Sequence, residues 1–146
     1  MKATATRENG FRHTVKIRSH ELSVDERSEV GGTDTGPEPL DQGGEDSAPS
    51  PQELLAASLA SCTAITMEMY AQRKGWDVGG VEVTCDYTPA ERGCPTQFKL
   101  LMRFPDDLSG DQVEKLRIIA AKCPVHRTLD GEVMFDERVE RLSLAH

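Results

Sequence analysis

An α+β domain, with helices on one side of an antiparallel sheet, is the fold class this sequence predicts. Three observations carry it. Stretches near the N-terminus and again after residue 80 alternate apolar and polar residues with a period of two. Between them, Ser50–Gly75 has the start, body and stop of one long helix. A second capped helix opens at Ser109, and a last alternating stretch follows it. Strands, helix, strand pair, helix, strand is the order of a layered α+β domain, not of alternating parallel units.

Residues from about Thr4 to Val24 read as strands. His13, Val15 and Ile17 alternate with Thr14, Lys16 and Arg18, and His20 to Val24 continue the pattern after a turn. Asp25 to Pro49 is rich in Gly, Asp, Glu and Pro and has too little apolar surface for a core, so it reads as loop. It holds a near-duplication: Gly31–Pro39 is GGTDTGPEP and Gly43–Pro51 is GGEDSAPSP. Only the second copy runs into the helix. The first is either an inserted copy or a chance likeness in a biased segment.

The helix starts with Ser50 as N-cap, Pro51 at the first helical position and Glu53 completing a capping box. Arg73, Lys74 and Gly75 end it with a basic turn and a glycine. At 100° per residue, Leu55, Ser58, Leu59, Cys62, Ile65, Thr66 and Met69 share a face, and alanines line much of the rest. Such a helix is expected to be buried on most sides. Cys62 near its middle is either a small core residue or a nucleophilic thiol in a sheltered pocket. Thr66 and Ser58, one turn away, can bond its sulfur or their own helix carbonyls.

Val81, Val83, Cys85 and Tyr87 share one face of the next strand, and Gln97–Phe104 pairs with it across a turn carrying Cys94. Ser109 and Gln112 form the second capping box. Val113, Leu116, Ala120 and Cys123 fall on one side of the helix it opens. Pro124 ends this helix or starts a short one at Val125–Leu129. Gly131 breaks it, and Glu132–Arg138 is expected to close the domain as a strand.

The 146 residues fit a single domain, 1–146, with 25–49 as its loop. A net charge of −8 argues against nucleic acid or an anionic membrane as partner. No apolar run is expected to reach membrane-spanning length, and MKATATRENG lacks a signal-peptide core, so a cytoplasmic protein is expected. Its four cysteines are then reduced at rest, and read as catalytic, metal-binding or buried.

Cys62 and Cys123 each sit on the apolar face of a capped helix. Were those helices side by side, the sulfurs would lie within disulfide reach, roughly 6 Å between Cα atoms. That pair is the minimal apparatus for thiol reduction of a peroxide. One thiolate is oxidised to a sulfenic acid, a second thiol condenses with it, and an external dithiol such as dihydrolipoamide reopens the disulfide. The attacking sulfur must be ionised, and Cys62 lies too far inside its helix to use that helix's own N-terminus, so an arginine is expected nearby.

PSPQELLAASLASCTAITMEMYAQRKGW followed by AAKCPVHRTL resembles the OsmC/Ohr superfamily, named for osmotically induced and organic-hydroperoxide-resistance proteins. The order of elements agrees over nearly the whole chain. The resemblance implies an intertwined homodimer with two long central helices packed together and active sites at the subunit interface. It also implies peroxidase chemistry, with Cys62 as peroxidatic and Cys123 as resolving thiol; because the helix face around Cys62 is apolar, an organic hydroperoxide is the expected substrate, and no cofactor is expected. The hydroperoxide reductases of that superfamily carry a glutamate directly after the helix-opening proline, paired with an arginine that activates the thiolate. Here that position is Gln52. Glu53 points about half a turn from Cys62 and reads first as the partner of Ser50, with a catalytic role as the alternative. P-x-E-L-L with CPVHRTL is similar to the general OsmC-like branch. Arg18 and Arg27 are the candidates for the activating arginine, and each is otherwise a solvated surface charge. Leu55, Leu59, Ile65 and Met69 are the candidate substrate-binding residues. His126 either supports Cys123 as a thiolate or is a capping or surface imidazole.

Two rival readings stand beside this one. Cys85, Cys94, Cys123 and His126 contain ligand types for zinc, although no CxxC knuckle is present. Alternatively, the pocket binds a small apolar molecule, or Cys62 is a redox sensor without turnover.

Overall fold

The computed structural model describes residues 1–28 and 43–143. The N-terminal third forms three antiparallel strands in the order β1 (Thr4–Asn9), β2 (Arg12–Ile17) and β3 (His20–Val24). Both hairpins are tight. Gly10 turns the first with a positive φ of 50°, and Arg18 takes the left-handed conformation, φ 55°, at the tip of the second. The side chain of Asp25 is only 2 % exposed. It accepts from the hydroxyl and main-chain N–H of Ser47 and from the Glu26 N–H. Arg12 reaches the same serine, donating to its hydroxyl at 2.7 Å. Residues 25–27 and 43–49 are thereby held together, with Gly44 donating to the Arg27 carbonyl and Asp46 to that of Glu26. The first copy of the duplicated loop lies outside the described residues.

Helix α1 (Pro51–Arg73) begins on the expected capping box: Ser50 accepts from the Glu53 N–H and the Glu53 carboxylate accepts from the Ser50 N–H. It ends on a Schellman motif, with Gly75 donating to Gln72 and Trp76 to Ala71. Gly75 has φ 71°, which a glycine adopts without strain. By length and composition α1 is apolar enough to cross a membrane, contrary to the expectation that no run would be. Its serines, threonines and cysteine disguise the run. It packs against the second sheet and two further helices.

That sheet is a hairpin of β4 (Glu82–Thr88) and β5 (Gln97–Arg103), with Val83 opposite Met102 and Tyr87 opposite Phe98. Val83, Cys85, Tyr87, Phe98, Leu100 and Met102 face inward and their neighbours outward, as the alternation predicts. Helix α2 (Gly110–Ala120) carries its own capping box from Ser109 and Gln112. The core is the cluster of Met67, Ala71, Val78, Leu116 and Ala120, where α1 and α2 meet. Helix α3 (Pro124–Leu129) follows at once, with Cys123 between the two.

Three expectations are corrected. The strands form two separate sheets, because no strand of this chain bridges β1–β3 to β4–β5 among the described residues. Helix α1 is buried along one line, Leu59, Thr63, Met67 and Ala71, rather than on most sides. Ile65 and Met69 on its other side are 53 % and 57 % exposed. Glu132–Arg138 is not a strand. It alternates like one, but no edge of the described chain pairs with it, and Phe135 is 86 % exposed.

Candidate active site

Cys62 and Cys123 meet. Cys62 is half-buried on α1, and the Cys123 side chain lies within hydrogen-bonding reach of its thiol. The sequence of α2 explains why. Leu116 and Ala120 bury against α1, and Cys123 continues the same stripe onto the helix joint. Cys123 is fully buried and serves as N-cap of α3, its Sγ accepting the His126 N–H at 3.2 Å. Pro124 takes the first helical position, where a missing N–H costs nothing. The next amide, Val125 N–H, and the Thr66 hydroxyl are near enough to the Cys62 sulfur to favour its thiolate.

The ionisation of Cys62 is set by opposing effects. Burial raises its pKa above the ordinary thiol value and is the largest influence; the neighbouring Cys123 also raises it, while the Val125 N–H and Thr66 hydroxyl pull it down. The balance is upward. No cation contributes among the described residues.

The two candidate arginines stand elsewhere. Arg18 is exposed at the β2–β3 hairpin tip. Arg27 lines an open cavity of about 750 Å³ with Gln52, Glu53, Ala57 and Ala60. Glu53 is nine residues before Cys62, two and a half helical turns, so the two point to opposite sides of α1. The Glu53 carboxyl is held below its usual range first by the Ser50 N–H, then by the Ser50 hydroxyl, and least by Arg27. The capping reading of Glu53 is the one its contacts carry, and within this chain neither arginine acts on Cys62.

The candidate substrate residues divide. Leu55 and Leu59 line a crevice of about 530 Å³ between α1, the β4–β5 hairpin and α3. Its other apolar walls are Tyr87, Phe98, Leu100 and Leu129, with Thr96, His126 and Asp130 as polar groups. Tyr87 and Phe98 stack there, ring centroids 4.8 Å apart. Ile65 and Met69 lie outside this crevice, on the exposed side of α1. A second apolar cavity, under Phe11, Val15, Val24 and Leu54, is also lined by His13, Asp25 and Glu26 but by no cysteine.

Other expected partners are also placed. Ser58 is exposed, and its carbonyl accepts from the Ser61 hydroxyl. His126 acts on Cys123 through its main-chain N–H, while the residue lines the crevice. Cys85, Cys94, Cys123 and His126 do not gather: among the described residues no three Cys, His, Asp or Glu stand together as a metal set. The amides of Val125 and His126, and Thr63 beside Cys123, were not singled out from sequence. The Cys-Pro step was the available signal for the amides, since proline at the first helical position makes the preceding residue the cap.

Comparison with known proteins agrees with this fold. The family model described as OsmC-like protein matches residues 44–138. An organic hydroperoxide resistance protein, OsmC, from Legionella pneumophila superposes with a TM-score of 0.61 at 19 % identity, covering 90 % of each chain. An OsmC-like protein from Mycoplasma pneumoniae gives 0.65 at 17 %, covering 89 % of this chain and 86 % of that one. The organic hydroperoxide resistance protein OhrB of Bacillus subtilis gives 0.55 at 16 %, with 90 % and 92 % covered. A sequence comparison with curated proteins gives no match. At these identities the structures speak for the fold, and the family model, spanning well over half the chain and both helices that carry Cys62 and Cys123, places the sequence: this chain belongs to the OsmC-like protein family.

Proposed function

We propose that this protein is a cytoplasmic, thiol-dependent peroxidase that reduces organic hydroperoxides. The observation that carries the reading is the meeting of Cys62 and Cys123 one helical turn from Leu59 and His126, which line the crevice. The half-buried Cys62, as thiolate, attacks the distal oxygen of the hydroperoxide; the O–O bond breaks, the alcohol leaves with a proton, and Cys62 becomes a sulfenic acid. Cys123 then attacks that sulfur, the S–S bond forms, and the sulfenic oxygen departs as water carrying the thiol's proton. An external dithiol of the lipoyl type takes the two oxidising equivalents by exchange and is left as its own disulfide. The Val125 N–H and Thr66 hydroxyl are the groups that steady the Cys62 thiolate. Leu55 and Leu59 receive the apolar tail. The cycle calls for neither metal nor organic cofactor.

A homodimer is part of the proposal. The exposed side of α1 with Ile65 and Met69, and the unpaired apolar segment with Val133, Phe135 and Val139, are the surfaces a second copy would cover.

The test is hydroperoxide consumption with dihydrolipoamide as electron donor. Wild type is expected to turn over many equivalents and Cys62→Ser none. Cys123→Ser is expected to keep the first oxidation but carry Cys62 on to sulfinic acid, visible as a mass gain. Faster reaction with hydrogen peroxide than with a bulky alkyl hydroperoxide would overturn the substrate class. The raised Cys62 pKa favours a second reading, a redox sensor oxidised once without turnover. Consumption of a single equivalent per chain would select it.

A further inference from the structure

We infer that Cys123 also works as a redox-sensitive helix cap: its reduced sulfur holds the N-terminus of α3, one wall of the crevice, and conversion to the disulfide uncaps that helix. The sulfur is tied from two sides. The His126 N–H of α3 donates to it at 3.2 Å. Thr63 Oγ1 of α1 lies 3.9 Å away and is itself fully buried. A hydroxyl has one hydrogen, and that of Thr63 goes to the Leu59 carbonyl at 2.8 Å, which can only accept. The hydrogen between Thr63 and Cys123 is therefore the thiol's own. In the reduced protein Cys123 donates to α1 and accepts from α3, so one sulfur links the two helices.

Helix α3 depends on that link. It has six residues, none fully buried, and its first residue, Pro124, has no N–H. A helix so short does not hold itself. Yet it supplies His126 and Leu129 to the crevice, and its C-cap Asp130 lines the same wall. When Cys123 condenses with the Cys62 sulfenic acid, the thiol hydrogen leaves in the departing water, and the hydrogen bond to Thr63 is replaced by a covalent bond to Cys62 on the same helix. The sulfur that remains is bonded to a second sulfur and is a poorer acceptor for the His126 N–H. The joint stays anchored to α1, and the cap of α3 weakens at that step. Helix α3 is then free to fray beyond Cys123, with His126, Leu129 and Asp130 of the crevice wall, after the alcohol has formed and before the external dithiol must reach the disulfide. The disulfide half of this inference rests on the cycle proposed above; the cap itself rests on the hydrogen bonds alone.

Hydrogen exchange of the α3 amides in the full chain tests it. Four samples are compared: reduced wild type, wild type oxidised with one equivalent of cumene hydroperoxide, reduced Cys123→Ala and reduced Cys123→Ser. Exchange at His126 and its neighbours should rise roughly fivefold or more in the oxidised protein and in Cys123→Ala, as loss of a cap implies. Cys123→Ser, whose hydroxyl caps a helix, should stay protected with or without oxidant. Thr63→Val, which cuts only the tie to α1, should give a smaller rise. Should hydroperoxide leave both thiols reduced, the peroxidase reading fails, and diamide is then used to form the disulfide for the same comparison. The inference is overturned if Cys123→Ala or Thr63→Val exchanges like reduced wild type, if the disulfide, confirmed by mass, leaves α3 protected, or if diamide cannot form it.

Discussion

Replacing Met67 by alanine should cost this protein about 2–5 kcal/mol of stability. Met67 is fully buried on α1 at the centre of the cluster with Ala71, Val78, Leu116 and Ala120. Tyr70, Trp76, Val83, Met102 and Phe104 pack around that cluster. Removing its thioether arm takes away the transfer energy of three heavy atoms and leaves a hole whose walls are helix and sheet, which close only in part. For a domain of this size roughly 3 °C of Tm follows each kcal/mol, so the melting point should fall by about 6–15 °C. Met69, two residues on and 57 % exposed, is the internal control. Met69→Ala should leave the chain's own packing intact, within about 0.5 kcal/mol. Under the homodimer proposal it should instead make the melting point more dependent on protein concentration, because subunit contacts enter stability by mass action. Thermal denaturation of both variants at several concentrations is the assay. A Met67→Ala protein that melts within a degree or two of wild type would show that this cluster is not what holds α1 to the hairpin and α2.

Two further predictions use the site and its frame. With the Cys62 pKa raised by burial and by Cys123, the thiolate is the minor form at neutral pH, and its alkylation by iodoacetamide should climb about tenfold per pH unit from 7 to 9. The sign for stability is opposite: the folded thiol holds its proton after the unfolded one has lost it, so stability contributed by this group is whole below the ordinary thiol pKa and declines as pH rises through the folded one. A rate plateau already reached below pH 7 would mean that a cation from outside the described chain reaches Cys62. Ser50→Ala should cost about 1 kcal/mol by denaturant titration, since Ser50 is 2 % exposed and caps the N-terminus of the central helix. A substitution that leaves the midpoint unchanged would remove the capping box from the account of α1.

What was legible in the sequence is what is decided locally. Ser50 with Glu53 and Ser109 with Gln112 both form their reciprocal hydrogen bonds, because a capping box needs only four consecutive residues. The β4–β5 hairpin follows from alternation, since one face of each strand must turn inward. The buried side of α1 was not legible. Apolar and small residues run almost all round it, so periodicity named Ile65 and Met69 beside Leu55, while packing chose Thr63 and Met67. Glu132–Arg138 has the pattern of a strand, but a ladder also needs an edge, and sequence does not show whether one exists. At the site, Cys62 and Cys123 were found by residue type and face. The Val125 amide was not, because any residue type can present a main-chain N–H.

The missing cation and the incomplete surfaces bear on the same question. Under the peroxidase proposal, a thiol with no positive neighbour ionises less and attacks more slowly, and among the described residues Cys62 has only a main-chain N–H and a hydroxyl to offset burial. Arg27 and Glu53 lie on the far side of α1, beside a cavity walled by Ala57 and Ala60 and open to solvent. Small residues on a helix let another backbone approach closely, so a second copy settling against α1 would change the surroundings of both the arginine and the thiol. A single chain leaves Ile65, Met69, Phe135 and Val139 exposed, and association that covers such groups also dries the site it borders. Drying strengthens every hydrogen bond to sulfur and every repulsion between the two thiols. Under the homodimer proposal, assembly therefore acts on the ionisation of Cys62 even where it supplies no ligand to it, and the pH at which alkylation levels off, followed against protein concentration, tests that effect.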